Sequence, residues 1–373
     1  MKKVFVLSII GFAVIFFAAG SFGAETVRVG GVMAMTGAVA AYGQDAWTGI
    51  QLAKEMVPTV LGKQVELVLV DSKSDKIETA NAVSRLIEKE KVIAILGENT
   101  SGNTMAGAPI AEKAMVPMVA SSATNPMVTQ GKKYVFRTCF IDPYQGEIAA
   151  KYAFNELKAK TAALIVDKSQ DFSVGLAKFF KDAFTKMGGK IVAETFCVTE
   201  DKDFSAQISF IKPTNPDVIY EPLYYSPVAL FTKQARELGM KTPVLSCDGA
   251  QADELIQIGG KEVEGVAFTG HFHAKAATTM LAKDFIARFK EKYKTEPNSF
   301  HALGADSYFI LLDAITRAKS TEGPKIRNAL ATTKNFEGIT GKISIGEDGN
   351  AEKTMVIMVV KDGKFEYLTS VNP

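Results

Sequence analysis

Strand-like and helix-like segments alternate along this chain in two successive runs. That predicts an α/β protein of two lobes, each a parallel sheet flanked by helices. Three observations carry the expectation. Short runs rich in Val, Ile and Leu end on Gly, Asp or Ser. Amphipathic stretches of helical period lie between them. The mature chain, at about 350 residues, also exceeds what one hydrophobic core usually holds.

The first residues stand apart from this pattern. "MKK" is a short basic start, "VFVLSIIGFAVIFFAAG" is apolar and uncharged, and "SFGAE" offers small residues at Ser21, Gly23 and Ala24. Together they predict a secretory signal peptide spanning 1–23, cleaved near residue 23 or 24, and so a periplasmic protein. No later stretch approaches the roughly 18 apolar residues a membrane span requires.

In the first α/β run, strands are predicted at 27–33, 65–71, 92–97 and 116–121. A helix between the first two repeats Trp47, Ile50, Ala53 and Val57, and one between the next two repeats Ile77, Ala80, Val83 and Ile87. The second run predicts strands at 161–167, 189–197, 217–222 and 243–248, with helices at 174–188, 204–212 and 226–240. The last of these stops at Gly239. Between the runs, 134–146 is expected to be an extended crossover broken at Asp142-Pro143, and 264–273 a second crossover. Helices follow at 280–293 and 301–318. A β-rich tail with Asp-Gly turns at 348–349 and 362–363 is expected to fold back across the lobe boundary.

Charge and cysteines exclude several function classes. Loss of the leader removes Lys2 and Lys3, leaving 41 basic against 41 acidic residues. A neutral chain without a basic run argues against nucleic acid as a partner. Cys139, Cys197 and Cys247 have no metal-like spacing and are expected to be buried small apolar residues; at most one pair can form a disulfide, which export permits and nothing in the sequence demands. His271 and His273 form a His-x-His with no third ligand nearby, so no metal site is expected, and both are placed in the hinge region. His301, at a helix start, is expected to be structural. No nucleophile elbow, P-loop or zinc-protease motif is present, and no catalytic residue is predicted.

In open parallel sheets, ligands bind beyond the carboxyl ends of the strands, against helix N-termini. Those ends carry "MTGAVAAYGQDA", "GENTSGNTMAGAP", "SSATNP", "DKSQDFS", "EPLYYSP" and "CDGAQADE". The first leaves Tyr42 accessible between small neighbours. Hydroxyls and helix-start N–H groups at Ser101, Ser122 and Thr124 can hold a carboxylate without a formal positive charge. Asp248 and the ring of Tyr224 can hold an ammonium. A zwitterion between the lobes satisfies both sets. Taken singly, the same residues are also ordinary caps and turns.

The residues then show a family likeness. "MTGAVAAYGQDAWTGIQLA" (35–53), "LVDSKSDKIETANAVSRLI" (69–87) and the long stretch 97–138 resemble the solute-binding proteins of branched-chain amino acid ABC transporters, the leucine/isoleucine/valine type. The resemblance implies the type I periplasmic binding protein fold, two Rossmann-like lobes joined by a three-strand hinge. Lobes are expected at 24–141 plus 272–350 and at 142–271 plus 351–373. It further implies a monomer that captures an amino acid, without cofactor or metal, and delivers it to an inner-membrane ABC permease.

By position, the resemblance implies that Ser101 and Thr124 hold the ligand's carboxylate. The Ser122 carbonyl takes the ammonium, in the Ser122-Ala123-Thr124 segment, and Tyr224 covers the charged end. Asp248 stands where leucine-type proteins have a glutamate, a carboxylate one methylene longer. Asn99 and Thr100 stand where apolar and cysteine residues are common, which implies a more polar pocket. Phe172 supplies a second-lobe aromatic, and Tyr42 and Phe300 wall the side-chain pocket. Capture of another solute (an amide, urea, polyamine or aromatic acid) is the alternative on the same fold. An NAD-dependent oxidoreductase is the alternative of another class, resting on Asp71 alone.

Overall fold

A computed structural model describes residues 26–373; the expected leader and its cleavage site lie outside the described residues. The first sheet is built from β1 (Thr26–Met33), β2 (Thr59–Val60), β3 (Lys63–Asp71), β4 (Ala94–Leu96), β5 (Met118–Ala120) and β6 (Val135–Arg137), in the order β2-β3-β1-β4-β5-β6. All its pairings are parallel except that of β2 with β3. α1 (Ala40–Met56), α2 (Lys76–Glu88) and α3 (Ser101–Ala114) connect these strands.

α4 (Asp142–Lys151) leads to the second sheet. There β7 (Thr161–Asp167), β8 (Lys190–Cys197), β9 (Val218–Glu221), β10 (Val244–Ser246) and β11 (Ala267–Gly270) alternate with α5 (Asp171–Lys186), α6 (Ser205–Ile211), α7 (Tyr225–Glu237) and α8 (Asp253–Gly259). The chain then returns to the first sheet as α9 (Met280–Tyr293), α10 (Ser299–Ala318) and α11 (Gly323–Leu330), followed by a small antiparallel sheet of β12 (Phe336–Gly338), β13 (Gly341–Ile345) and β14 (Ala351–Glu352). It finally adds the antiparallel β15 (Met355–Lys361) and β16 (Lys364–Val371) to the second sheet, giving the order β16-β15-β11-β10-β9-β7-β8. The β15–β16 hairpin turns on Asp362 and Gly363, both at positive φ, as the Asp-Gly signal predicts. The α/β class is therefore as expected, with parallel-dominated sheets between helices.

Four local expectations change. Residues 142–151 are a helix, not the end of an extended crossover, because Pro143 sits in the first turn, where its missing N–H costs nothing. α3 was not expected from a stretch carrying Gly102, Gly107 and Pro109; it forms because Gly107 lets it press against Val83 of α2. The short helices α8 and α11 also went unread. The buried face of α2 is Thr79, Ala82, Val83 and Leu86. Ile77 is 72% exposed: Asp75 caps this helix by accepting from the N–H groups of Ile77 and Glu78, and that first turn lies clear of the sheet.

Two close helix contacts set up the site. A side chain at Gly49 would overlap the His301 carbonyl, and one at Gly304 would overlap the Ala46 carbonyl. Glycine at both points draws α1 and α10 together, which places Phe300 beside Tyr42. Tyr42, Val39 and Phe300 belong to the same apolar cluster as Leu164, Phe180 and Phe231 around the second sheet, so the two lobes share packing at this seam.

Candidate functional site

In each sheet the strand order runs in opposite directions from the first strand, away from β1 in one and from β7 in the other. Such switch points open a crevice at the carboxyl ends of the strands. The two crevices face each other across a narrow cavity lined by Tyr42, Asn99, Thr100, Ser101, Ser122, Thr124, Phe172, Tyr224, Asp248, Gly249 and Phe300. Every predicted site residue but one borders it. Ala123 lies off the cavity, its side chain packed with Ala108, Ala120, Val128 and Val135.

One wall is acidic. Asp248 follows β10 and is 4% exposed. Burial pushes its carboxyl up to about 7. Gln145 Nε2 donates to Oδ1 at 2.7 Å, and His271 Nε2 lies 3.0 Å from Oδ2. His271 was expected merely to decorate the hinge; it is buried, and burial drives its imidazole well below the usual range, so it is neutral. A carboxylate has about four acceptor positions, so Asp248 keeps capacity for an ammonium after both contacts.

The opposite wall carries hydroxyls and a helix start. α3 begins at Ser101 with no side chain capping its N-terminus, so first-turn N–H groups and the positive end of the helix dipole lie next to the cavity. Its approach is braced by Glu98, which is buried and accepts from Ser72 Oγ at 2.7 Å, from Thr100 N at 2.8 Å and from Thr100 Oγ1 at 3.0 Å. Ser101 Oγ accepts from Asn125 N at 3.1 Å. Ser122 Oγ donates to the Asn99 carbonyl at 2.9 Å, and Asn99 Nδ2 donates to Ser121 Oγ at 3.0 Å. Asn99 Oδ1 is buried without a partner, and Thr124 Oγ1 lies by the Asp142 carboxyl. Buried polar atoms in native proteins are nearly always satisfied; on a cavity wall, the Asn99 oxygen points to a polar guest.

The loop holding Ser122 and Thr124 is shaped from beneath by Arg137, which is fully buried at the end of β6. Its guanidinium donates to the Ala123 carbonyl at 2.6 Å, the Asn125 carbonyl at 3.0 Å and Thr129 Oγ1 at 3.1 Å. Thr138 Oγ1 adds a bond to the Ser121 carbonyl at 3.2 Å.

Aromatic rings close the sides. Tyr42 stacks on Phe300 at 4.3 Å and meets Tyr224 edge-on at 5.6 Å, while Tyr224 stacks on Phe172 at 5.5 Å. Tyr42 is buried instead of accessible, because the second lobe covers it. Its hydroxyl donates to the Gly249 carbonyl and accepts from Tyr225 N at 3.3 Å. Further bonds cross the cleft from Tyr225 to the Ala38 carbonyl (3.0 Å), from Asn125 to the Asp171 carbonyl (2.9 Å) and from Lys76 to Asp171 (2.8 Å). The lobes are closed on each other.

Asp71, the one residue an oxidoreductase reading could use, is spent on local structure. Its Oδ1 accepts from Met35 N and Lys73 N, at 2.9 and 2.8 Å, and its Oδ2 from Thr36 Oγ1 at 2.7 Å. His301 sits in a capping box with Asn298, away from the cavity, and the three cysteines are buried and free. Sequence reasoning missed Gln145, His271, Glu98 and Arg137. A signal existed for His271, since it and Asp248 follow the ends of neighbouring parallel strands, and for Glu98, which follows the end of β4.

In sequence and fold the chain is similar to several known proteins. The leucine-binding protein LivK of Thermotoga maritima superposes with a TM-score of 0.92 at 49% identity, covering 93% of this chain and 99% of that one. The branched-chain amino acid substrate-binding protein LivJ of Streptococcus pneumoniae, solved with isoleucine, gives 0.89 at 34% identity over 94% and 100%. A Leu/Ile/Val-binding protein homologue of Brucella melitensis is 30% identical over 91% of this chain and 92% of its own length. Residues 26–364 match the periplasmic binding protein family, and with that extent of agreement in sequence and fold the chain belongs to it.

Proposed function

We propose that this protein is an exported, non-enzymatic solute-binding protein. It captures a branched-chain amino acid between its lobes in the periplasm and delivers it to an ABC permease. The observation that carries this reading is the opposed polarity of one small cavity. A buried carboxylate stands on one wall, uncharged hydroxyls and a helix N-terminus on the other, and aromatic rings between them. An α-amino acid presents its ammonium and carboxylate in that sense. Ser101, Thr124 and the α3 N-terminus take the carboxylate, Asp248 and the Tyr224 ring the ammonium. Phe300, Tyr42 and Phe172 bury the aliphatic side chain at about 25 cal/mol per Å². The names of the relatives, two of them branched-chain binders solved as structures, support the same ligand class.

Calorimetry on the mature protein tests this with leucine, isoleucine and valine beside three truncated or rival ligands. Isovalerate lacks the ammonium, isopentylamine lacks the carboxylate, and benzoate offers a flat acid. The aliphatic amino acids are expected to bind at least about 100-fold more tightly than any of the three. Isovalerate or benzoate binding as well as leucine, or no amino acid binding at all, overturns the reading.

A further inference from the structure

Asp248 is the shorter of the two acidic side chains, yet it is held at two points from behind. Gln145 Nε2, from the second turn of α4, is 2.7 Å from Oδ1, and His271 Nε2, just past β11, is 3.0 Å from Oδ2. The imidazole is itself fixed by all three segments that run between the sheets. It belongs to the segment following β11, and its ring stacks on Phe140, between β6 and α4, at 3.9 Å. The backbone carbonyl of His271 accepts from buried Lys353, between β14 and β15, at 3.4 Å. An ionised carboxylate only accepts, so the contact requires hydrogen on Nε2, which leaves Nδ1 as the buried atom without a partner.

We infer that His271 and Gln145 are positioning residues for the ammonium site. They aim the Asp248 carboxylate at the cavity and favour its ionised form, and His271 mounts it on the inter-lobe segments. This rests on the reading of the cavity as an amino-acid site. The surrounding titratable groups leave the pair free to act. Burial raises Tyr220, Tyr224 and Cys247 well above their usual ranges and Cys139 to about 12, so these four stay neutral below pH 7.5, and burial also raises the Asp142 carboxyl well above the usual carboxylate range. Burial lowers Lys353 to about 8, so it keeps its charge across most of that window.

The test measures leucine affinity between pH 5 and 7.5 for the wild type, His271→Phe, His271→Gln and Gln145→Met. Phenylalanine keeps the stack on Phe140 and removes the donor; glutamine restores a donor near Nε2. His271→Phe and Gln145→Met are each expected to weaken binding about tenfold or more at the acid end and, with the midpoint raised by about one pH unit, to leave affinity still climbing steeply at pH 7.5, where the wild type is levelling off. His271→Gln is expected to recover most of that loss. In an Asp248→Asn background, adding His271→Phe is expected to change affinity less than about twofold, since the donor then has no carboxylate to aim. If the wild type binds leucine while both donor deletions stay within twofold of it with an unmoved midpoint, the positioning role is wrong. Equal weakening by His271→Phe with and without Asp248 also overturns it, leaving a purely structural histidine. A wild type that binds no amino acid refutes the functional reading instead.

Discussion

Asp248 should make ligand capture depend on pH, and its surroundings set the size of the effect. Burial pushes the carboxyl up to about 7, whereas an ammonium pairs only with the ionised form. At pH 5 about one molecule in a hundred is ionised before ligand arrives. Affinity for leucine should therefore hold steady above pH 7 and fall about tenfold per pH unit below it, reaching about 100-fold at pH 5. Near pH 6 binding should release close to one proton, which calorimetry in two buffers of different ionisation enthalpy counts directly. Asp248→Asn keeps the shape and removes the charge. Breaking a buried charge pair costs about 3–5 kcal/mol, so affinity at pH 7.5 should drop by roughly 150- to 5,000-fold and the pH slope should vanish. The free protein responds in the opposite sense. Its native state keeps a proton that the unfolded chain has released, so this group's stabilising contribution is complete below about pH 4 and lost as pH rises through 7. A wild-type affinity flat from pH 5 to 7.5, with no proton released, would refute the assignment of Asp248 to the ammonium.

Thr124→Val removes a buried hydroxyl on the cavity wall, next to the Asp142 carboxyl; leucine affinity should fall by about 1–3 kcal/mol, five- to 150-fold, while the unliganded protein's stability, measured by chemical unfolding, should change much less. Tyr42→Phe deletes the hydroxyl that bonds Gly249 and Tyr225 across the cleft. Because those bonds exist only with the lobes together, leucine should bind about two- to tenfold more weakly by calorimetry, with little change in the stability of the free protein. Arg137→Met withdraws the donors that shape the 121–129 loop. It should lower unfolding free energy by about 2–4 kcal/mol in urea titrations, and leucine affinity should fall with it.

The parts of the fold legible in the sequence were those whose cause is local. β7 and α9 were located to the residue because an apolar run of period and length suited to one element ends on clear punctuation. α3 was not, since its glycines and proline oppose a helix and only contact with α2 makes the small residues useful. The same division runs through the site. Tyr42, Ser101, Ser122, Thr124, Phe172, Tyr224, Asp248 and Phe300 lie at strand ends or helix starts, where topology alone directs attention, and the cavity gathers all of them. Gln145, His271 and Arg137 act through partners 8 to 103 positions away, an arrangement that exists only once strands are ordered. The "ASSATNP" loop joins the two kinds of information. Its small side chains are explained from the cavity side, where Ser122 and Thr124 line the wall. Ser121, without an evident role in the sequence, receives the Asn99 amide on one side and Thr138 on the other. A larger residue at 121 would part Asn99 from that contact and shift the wall that Ser122 and Thr124 share. The hydroxyl that never reaches the cavity therefore decides where its neighbours stand.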